Sequence, residues 1–212
     1  HLTIFEMMAG HAFNYKGKMV YWKDRTVELH HDFVTKVLGV PEEKITYKEG
    51  VWEGGGNAGP DLESCVDGLE VATLVFMKFK VLDGKYVEMD TKIVDTGYGL
   101  ERFTWLVNGT PSAFDVIYGD LLERFRVMTG VEKPPKDVAV EAAKYSALMR
   151  RVETGKNLDE LRAVVARRIG VGLEELKRAL EPIEAVYALA DHTKCLAFML
   201  ADGLVPSNMG EG

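Results

Sequence analysis

Residues 69–102 read LEVATLVFMKFKVLDGKYVEMDTKIVDTGYGLER, and the fold turns on them. Residues 69–80 are dense in Val, Phe, Leu and Thr, side chains that suit a pleated, buried surface, so a strand is expected there. Asp83-Gly84 is a hairpin signal, because tight primed turns need positive φ, which Gly adopts freely and Asp tolerates. Residues 86–94 are the returning strand. A helix is expected soon after, from Gly99, with Leu100, Phe103, Leu106 and Val107 on one face and Asn108-Gly109 as its stop.

Upstream, alternation over residues 1–7 predicts a strand, with Leu2 and Ile4 on one side and Thr3 and Phe5 on the other. Residues 26–38 place Val27, Phe33, Val34, Val37 and Leu38 at near-helical spacing before Gly39. Residues 41–52 return to short extended runs, and GGGNAGP at 54–60 predicts a loop. Downstream of Asp115 the pattern is helical apart from Pro134-Pro135. Asn157, with Glu160 three positions on, reads as an N-cap for a helix that turns Leu161, Val164, Val165 and Ile169 inward. A further run from Leu173 is expected to bend or divide at Pro182, with a last helix near 192–201 ended by Gly203. Strands first and helices afterwards imply an α+β domain, 1–115, followed by an all-α domain, 116–212.

A chain of 212 residues with 47% hydrophobic content can bury a real core. The longest apolar stretch, residues 71–77, is far short of a bilayer span, so no membrane is expected and a cytoplasmic location is. Cys65 and Cys195 are too far apart in sequence to suggest a disulfide framework and too few for a zinc set, and read as free thiols in a reducing compartment. The net charge of -7 argues against a surface that grips nucleic acid throughout. Residues 141–181 hold 9 bases against 7 acids, whereas residues 1–100 hold 16 acids against 11 bases, so RNA is expected at the C-terminal half. The chain starts with strand-like His1 and stops in a loop, so an internal segment of a longer protein is expected.

The string IVDTGYGLER, residues 93–102, brings a carboxylate, two glycines that let a ligand approach the backbone, and an arginine on the first turn of a helix. A nucleotide site would use these parts; so would a helix N-cap at Asp95 and a surface ion pair at Arg102. The string is similar to motif 3 of class II aminoacyl-tRNA synthetases, in the form used by the alanine enzymes. That resemblance implies an antiparallel class II sheet with flanking helices, followed by a helical tRNA-recognition domain. It implies that Arg102 lies on adenine and reaches the terminal phosphate of ATP, that Gly97 and Gly99 belong to the ATP site, and that Asp95 pairs with the ammonium of alanine beside Gly97. Only a planar guanidinium both stacks and donates a fork of hydrogen bonds.

HLTIFEMM, residues 1–8, resembles the second strand of motif 2, which implies that Phe5 covers adenine and His1 points to the phosphates. On composition alone, Phe5 is a core residue. The resemblance implies that motif 1 and the first strand of motif 2 lie outside these residues, so the isolated chain is expected to be inactive. GVWEGGGNAGPDLE, residues 50–63, resembles the family loop that closes over alanine, in an archaeal form, and Trp52 is implied as the wall of the side-chain pocket. Residues 70–77 resemble the strand that holds magnesium, implying Glu70 as a Mg2+ ligand and Thr73 at the alanine. The tail, residues 190–208, is similar to the tRNA-recognition domain of alanyl-tRNA synthetases, where the Asn of Pro206-Ser207-Asn208 reads the acceptor stem of tRNA(Ala). Without the resemblance, Pro206-Ser207-Asn208 is a plain turn, and His30, His31, His192 and Cys195 are structural.

The expected activity is ATP-dependent activation of L-alanine and its transfer to tRNA(Ala), carried out with the remainder of the parent synthetase. The alternative is a catalytically incompetent segment that binds acceptor-stem RNA or docks to that remainder. Because one methyl or hydroxyl is worth only about 1–3 kcal/mol of discrimination, a separate editing domain is also expected.

Overall fold

The computed structural model of the protein describes residues 2–145 and 158–208. The chain divides into two compact units, Phe5–Asn108, and His1–Ile4 with Gly109–Gly212. The first unit contains β1 (Met7–Asn14), α1 (Lys23–Asp32), β2 (Ile45–Gly54), β3 (Asn57–Val66), β4 (Leu69–Leu82), β5 (Lys85–Gly99) and α2 (Leu100–Asn108). The strands form one sheet in the order β1-β5-β4-β3-β2, with every neighbouring pair antiparallel.

The hairpin reading of residues 69–102 holds. Asp83 and Gly84, at φ 50° and 73°, join β4 to β5, and Leu100 opens α2. β5 outruns its expected end at Val94 and carries Asp95 and Gly97 as strand residues through to Gly99. The helix expected over 26–38 starts earlier, at Lys23, and passes into a π-helical turn at Phe33–Val37 before Gly39.

Two upstream expectations are corrected. The strand predicted over residues 1–7 is displaced to Met7–Asn14, because its partner decides its place: β1 pairs with β5 from Met7↔Gly99 to Asn14↔Lys92. Before it, backbone groups are taken by side chains instead of a ladder. The Thr3 N–H donates to both oxygens of Asp191, at 3.1 and 3.0 Å, and the Glu6 N–H to both oxygens of Glu101, at 3.0 and 3.1 Å. GGGNAGP is not a loop beyond its first residues. Gly55 and Gly56, at φ 56° and 76°, make the turn, and residues 57–60 already belong to β3. Gly59 serves close approach instead, since a Cβ there would lie 2.0 Å from the Phe76 carbonyl oxygen.

One face of the sheet is dry. Ala12, Ala72, Leu74, Phe76 and Val94 form its centre, with Trp22 and Val27 of the α1 region packed against them. Val34, Val66, Val71 and Phe103 extend this core beneath α2. Burying each large side chain contributes about 1.5–3 kcal/mol. His30 is buried on this side, stacked on Tyr98 at 5.6 Å, and neither ring nitrogen has a hydrogen-bond partner among the described residues. Burial, and secondarily His31, holds its pKa down at about 4.

In the second unit the described elements are α3 (Ala113–Thr129), α4 (Lys136–Lys144), α5 (Leu158–Ile169) and α6 (Leu173–Ala201). Asn157 lies outside the described residues. Leu161 and Val165 of α5 are buried, as its periodicity predicts. Of the bend or division expected at Pro182, the division does not occur, and α6 is one helix of 29 residues with the proline inside it. Proline removes the bond to the carbonyl four residues back and crowds that carbonyl. Arg162, 8% exposed, donates to Glu181 at 2.7 Å and Glu184 at 2.6 Å, gripping α6 on both sides of that defect. Among the described residues, no helix is long and apolar enough to cross a membrane.

Candidate functional site

Side chains alternate across a strand, so the register of the sheet sorts them into two sets. Residues 72, 74 and 76 of β4 and 94, 96 and 98 of β5 are paired on the dry face. The intervening residues make the other face. There His11, Asp95, Val75, Asp61 and Gly50 form one row of cross-strand partners, and Ala9, Gly97, Thr73, Glu63 and Lys48 the next. A register shift after Ser64 inserts Val71 as an extra residue in β4, so that Glu70 pairs with Cys65 and joins this same face.

The second face is charged and internally bonded. Arg102 Nη1 donates to Glu70 Oε1 and to the Glu70 carbonyl oxygen, both at 3.1 Å, while Thr73 Oγ1 donates to Glu70 Oε1 at 2.9 Å. Asp95 Oδ1 lies 3.1 Å from His11 Nδ1, and Lys48 Nζ lies 2.7 Å from Glu63 Oε2. The two glycines keep the floor low. A Cβ at Gly97 would come 3.3 Å from Met7 Sδ, and one at Gly99 would touch the Arg102 stem at 3.5 Å. Burial pushes the Asp61 carboxyl up, with Glu63 adding to it, and burial followed by Glu70 and Glu63 pushes up the Cys65 thiol. Both cysteines are free thiols.

Glu70, Thr73, Asp95, Gly97, Gly99 and Arg102 are therefore brought together on one face, at the junction of β4, β5 and α2. Phe5 stands two residues before Met7, the partner of Gly99, and is half exposed and outside the strand. Trp52 is not part of the group. It lies on β2, three strands from β5 and so ~14 Å away at ordinary strand spacing, and its ring lies over Gly54, where a Cβ would be 2.6 Å from it. Asn208 belongs to the second unit and is exposed, and His1 lies outside the described residues.

His11, Lys48 and Glu63 went unread in the sequence because only strand register brings them to this face. The assembled chemistry is a guanidinium at one end, a carboxylate that can take an ammonium at the other, and a glycine floor between. That set suits a ligand carrying both signs of charge.

Residues 1–212 match the family model of tRNA synthetases class II (A). The chain belongs to that family. Among curated relatives of this class II chain, the alanine--tRNA ligase of Korarchaeum cryptofilum is 58% identical over 212 residues, covering all of this chain and 24% of the relative. Those of Pyrobaculum calidifontis and Pyrococcus furiosus are 52% and 51% identical, again over the whole chain and over 23% and 24% of their own lengths. The class II chain thus spans about a quarter of the relatives it matches. The pyrrolysyl-tRNA synthetase of Desulfitobacterium hafniense aligns at 20% identity with a TM-score of 0.38, over 55% of this chain and 38% of that one, a likeness too slight to inform the fold.

Proposed function

We propose that within its full-length parent this chain binds ATP and L-alanine on the charged face of the sheet and positions them for adenylate formation, the parent being an alanine--tRNA ligase. In that reaction a carboxylate oxygen of alanine attacks the α-phosphorus of ATP and the bond to pyrophosphate breaks; a terminal ribose hydroxyl of tRNA(Ala) later attacks the alanyl carbonyl, and AMP leaves. The observation that carries the reading is the placement of Asp95 and Arg102 on one face with Gly97 and Gly99 between them.

Each residue has a positional task. Asp95 takes the alanine ammonium, charge against charge in a fixed place. Thr73, paired with Gly97 across β4 and β5, lies at the alanine. Arg102 stacks on adenine opposite Phe5 and neutralises phosphate charge; its bonds to Glu70 hold the guanidinium ready before nucleotide arrives. No group of three or more potential metal ligands occurs among the described residues. Magnesium is nonetheless commonly bound through one or two carboxylates plus phosphate and water, and Glu70, whose Oε1 is taken by Arg102 and Thr73, has Oε2 to offer. When bound, Mg2+ supplies charge neutralisation at the triphosphate. His1 would face the phosphates, and Asn208 would read the acceptor stem from the second unit.

The test is ATP–pyrophosphate exchange by the full-length parent. Exchange should require alanine, and Arg102→Lys should raise the KM for ATP by about tenfold, because an ammonium cannot replace a stacked, forked guanidinium. The 212 residues alone should give no exchange. Exchange by the parent that is indifferent to alanine would refute the reading.

A further inference from the structure

We infer that His11 is the positioning residue for Asp95 and thereby sets the affinity for alanine, an inference that rests on the reading of Asp95 given above. His11 and Asp95 are cross-strand partners in β1 and β5, on the charged face, with Nδ1 and Oδ1 3.1 Å apart. The contact is an ion pair when the imidazole is protonated, with Nδ1 turned to one carboxylate oxygen. That contact engages one oxygen of Asp95, restricts the swing of its carboxyl group, and leaves the other oxygen for an ammonium.

The surroundings make the contact consequential. Asp95 stands on the sheet with its side chain 37% exposed, where an unrestrained carboxylate would sample several rotamers. Its cross-strand partner on the other side is Val75, a hydrocarbon that offers no hydrogen bond. The next row on the same two strands is Ala9 and Gly97, too small to steer it. Thr73, the polar residue of that row on β4, gives its hydroxyl to Glu70, so His11 is the polar strand neighbour in contact with Asp95. As a stability device the pair contributes little, since His11 is half exposed and exposed ion pairs are worth at most about 1 kcal/mol. Its effect belongs to ligand binding, where a preset carboxylate loses less freedom when the ammonium arrives.

The test is alanine-dependent pyrophosphate exchange by the full-length parent carrying His11→Ala, His11→Asn or Asp95→Asn. The Asn Nδ2 amide stands close to where His Nδ1 stands and can offer a donor to the same carboxylate oxygen. His11→Ala should raise the KM for alanine by about tenfold, with kcat and the KM for ATP changed by less than about twofold. His11→Asn should bring the alanine KM back to within about threefold of the parent. If His11→Ala leaves the alanine KM unchanged while Asp95→Asn abolishes exchange, the role of His11 is refuted and that of Asp95 stands. Equal defects in His11→Ala and His11→Asn would also refute it, because a packing role needs no donor. Full exchange by Asp95→Asn would overturn both readings.

Discussion

Leu74 and Thr73 are neighbours on β4 and belong to opposite worlds. Leu74 is fully buried among Ala72, Phe76 and Val94, whereas Thr73 reaches Glu70 on the face where Arg102, Asp95 and Lys48 make their ion pairs. The same alternation runs through β5, with Val94 and Thr96 buried on one side and Asp95 and Gly97 on the other. Strand geometry thus lets one sheet carry a hydrophobic core and a polar surface within a residue of each other. Changes on the dry face should act on stability, and changes on the charged face on ligands.

The sharpest test of the dry side is Leu74→Ala. Deleting a fully buried leucine side chain should cost about 3–4 kcal/mol of unfolding free energy, read from denaturant midpoints, by lost transfer energy and the cavity left behind. Thr73→Ala, one residue away, should cost less than about 1 kcal/mol in the same measurement.

His30 tests the dry side by pH. The folded state holds its pKa down at about 4 from an ordinary 6.5, so the unfolded chain takes up a proton that the folded chain refuses. Stability from this group is complete above pH 6.5 and falls as pH drops toward 4, by up to roughly 3 kcal/mol. His30→Phe should remove that part of the slope between pH 6.5 and 4. An unchanged slope would place the titration elsewhere.

These contrasts also mark what the sequence made legible. The β4–β5 hairpin could be read because Asp83-Gly84 and the flanking β-branched runs are local signals. DTGYGLER could be read because its strand, glycines and arginine are contiguous in the chain. Strand β1 was misplaced because residues 1–7 alternate as well as residues 7–14 do, and only the partner β5 distinguishes them. GGGNAGP was misread because glycine answers two needs: positive φ at Gly55 and Gly56, and absence of a Cβ at Gly59 against the Phe76 backbone. The place of Trp52 on β2, at the edge of the sheet, was not legible because strand order is a property of the whole fold. His11 was silent because its partner lies 84 positions away and meets it only through register. Pro182 failed to break α6 because contacts from α5 bridge it.

The smallest effect should come from Lys48→Ala. Its ion pair with Glu63 is well exposed on the lysine side, so stability should change by less than about 0.5 kcal/mol. A larger loss would mean that the charged face is also structural.

The most direct measurement pairs alanine-dependent pyrophosphate exchange with the melting temperature in Asp95→Asn of the full-length parent. The substitution keeps the side-chain shape and removes the charge. Exchange should fall by at least about 100-fold, as expected when an ammonium loses its carboxylate, while the melting temperature stays within about 2 °C. Exchange retained within about threefold would contradict the assignment of alanine to this face.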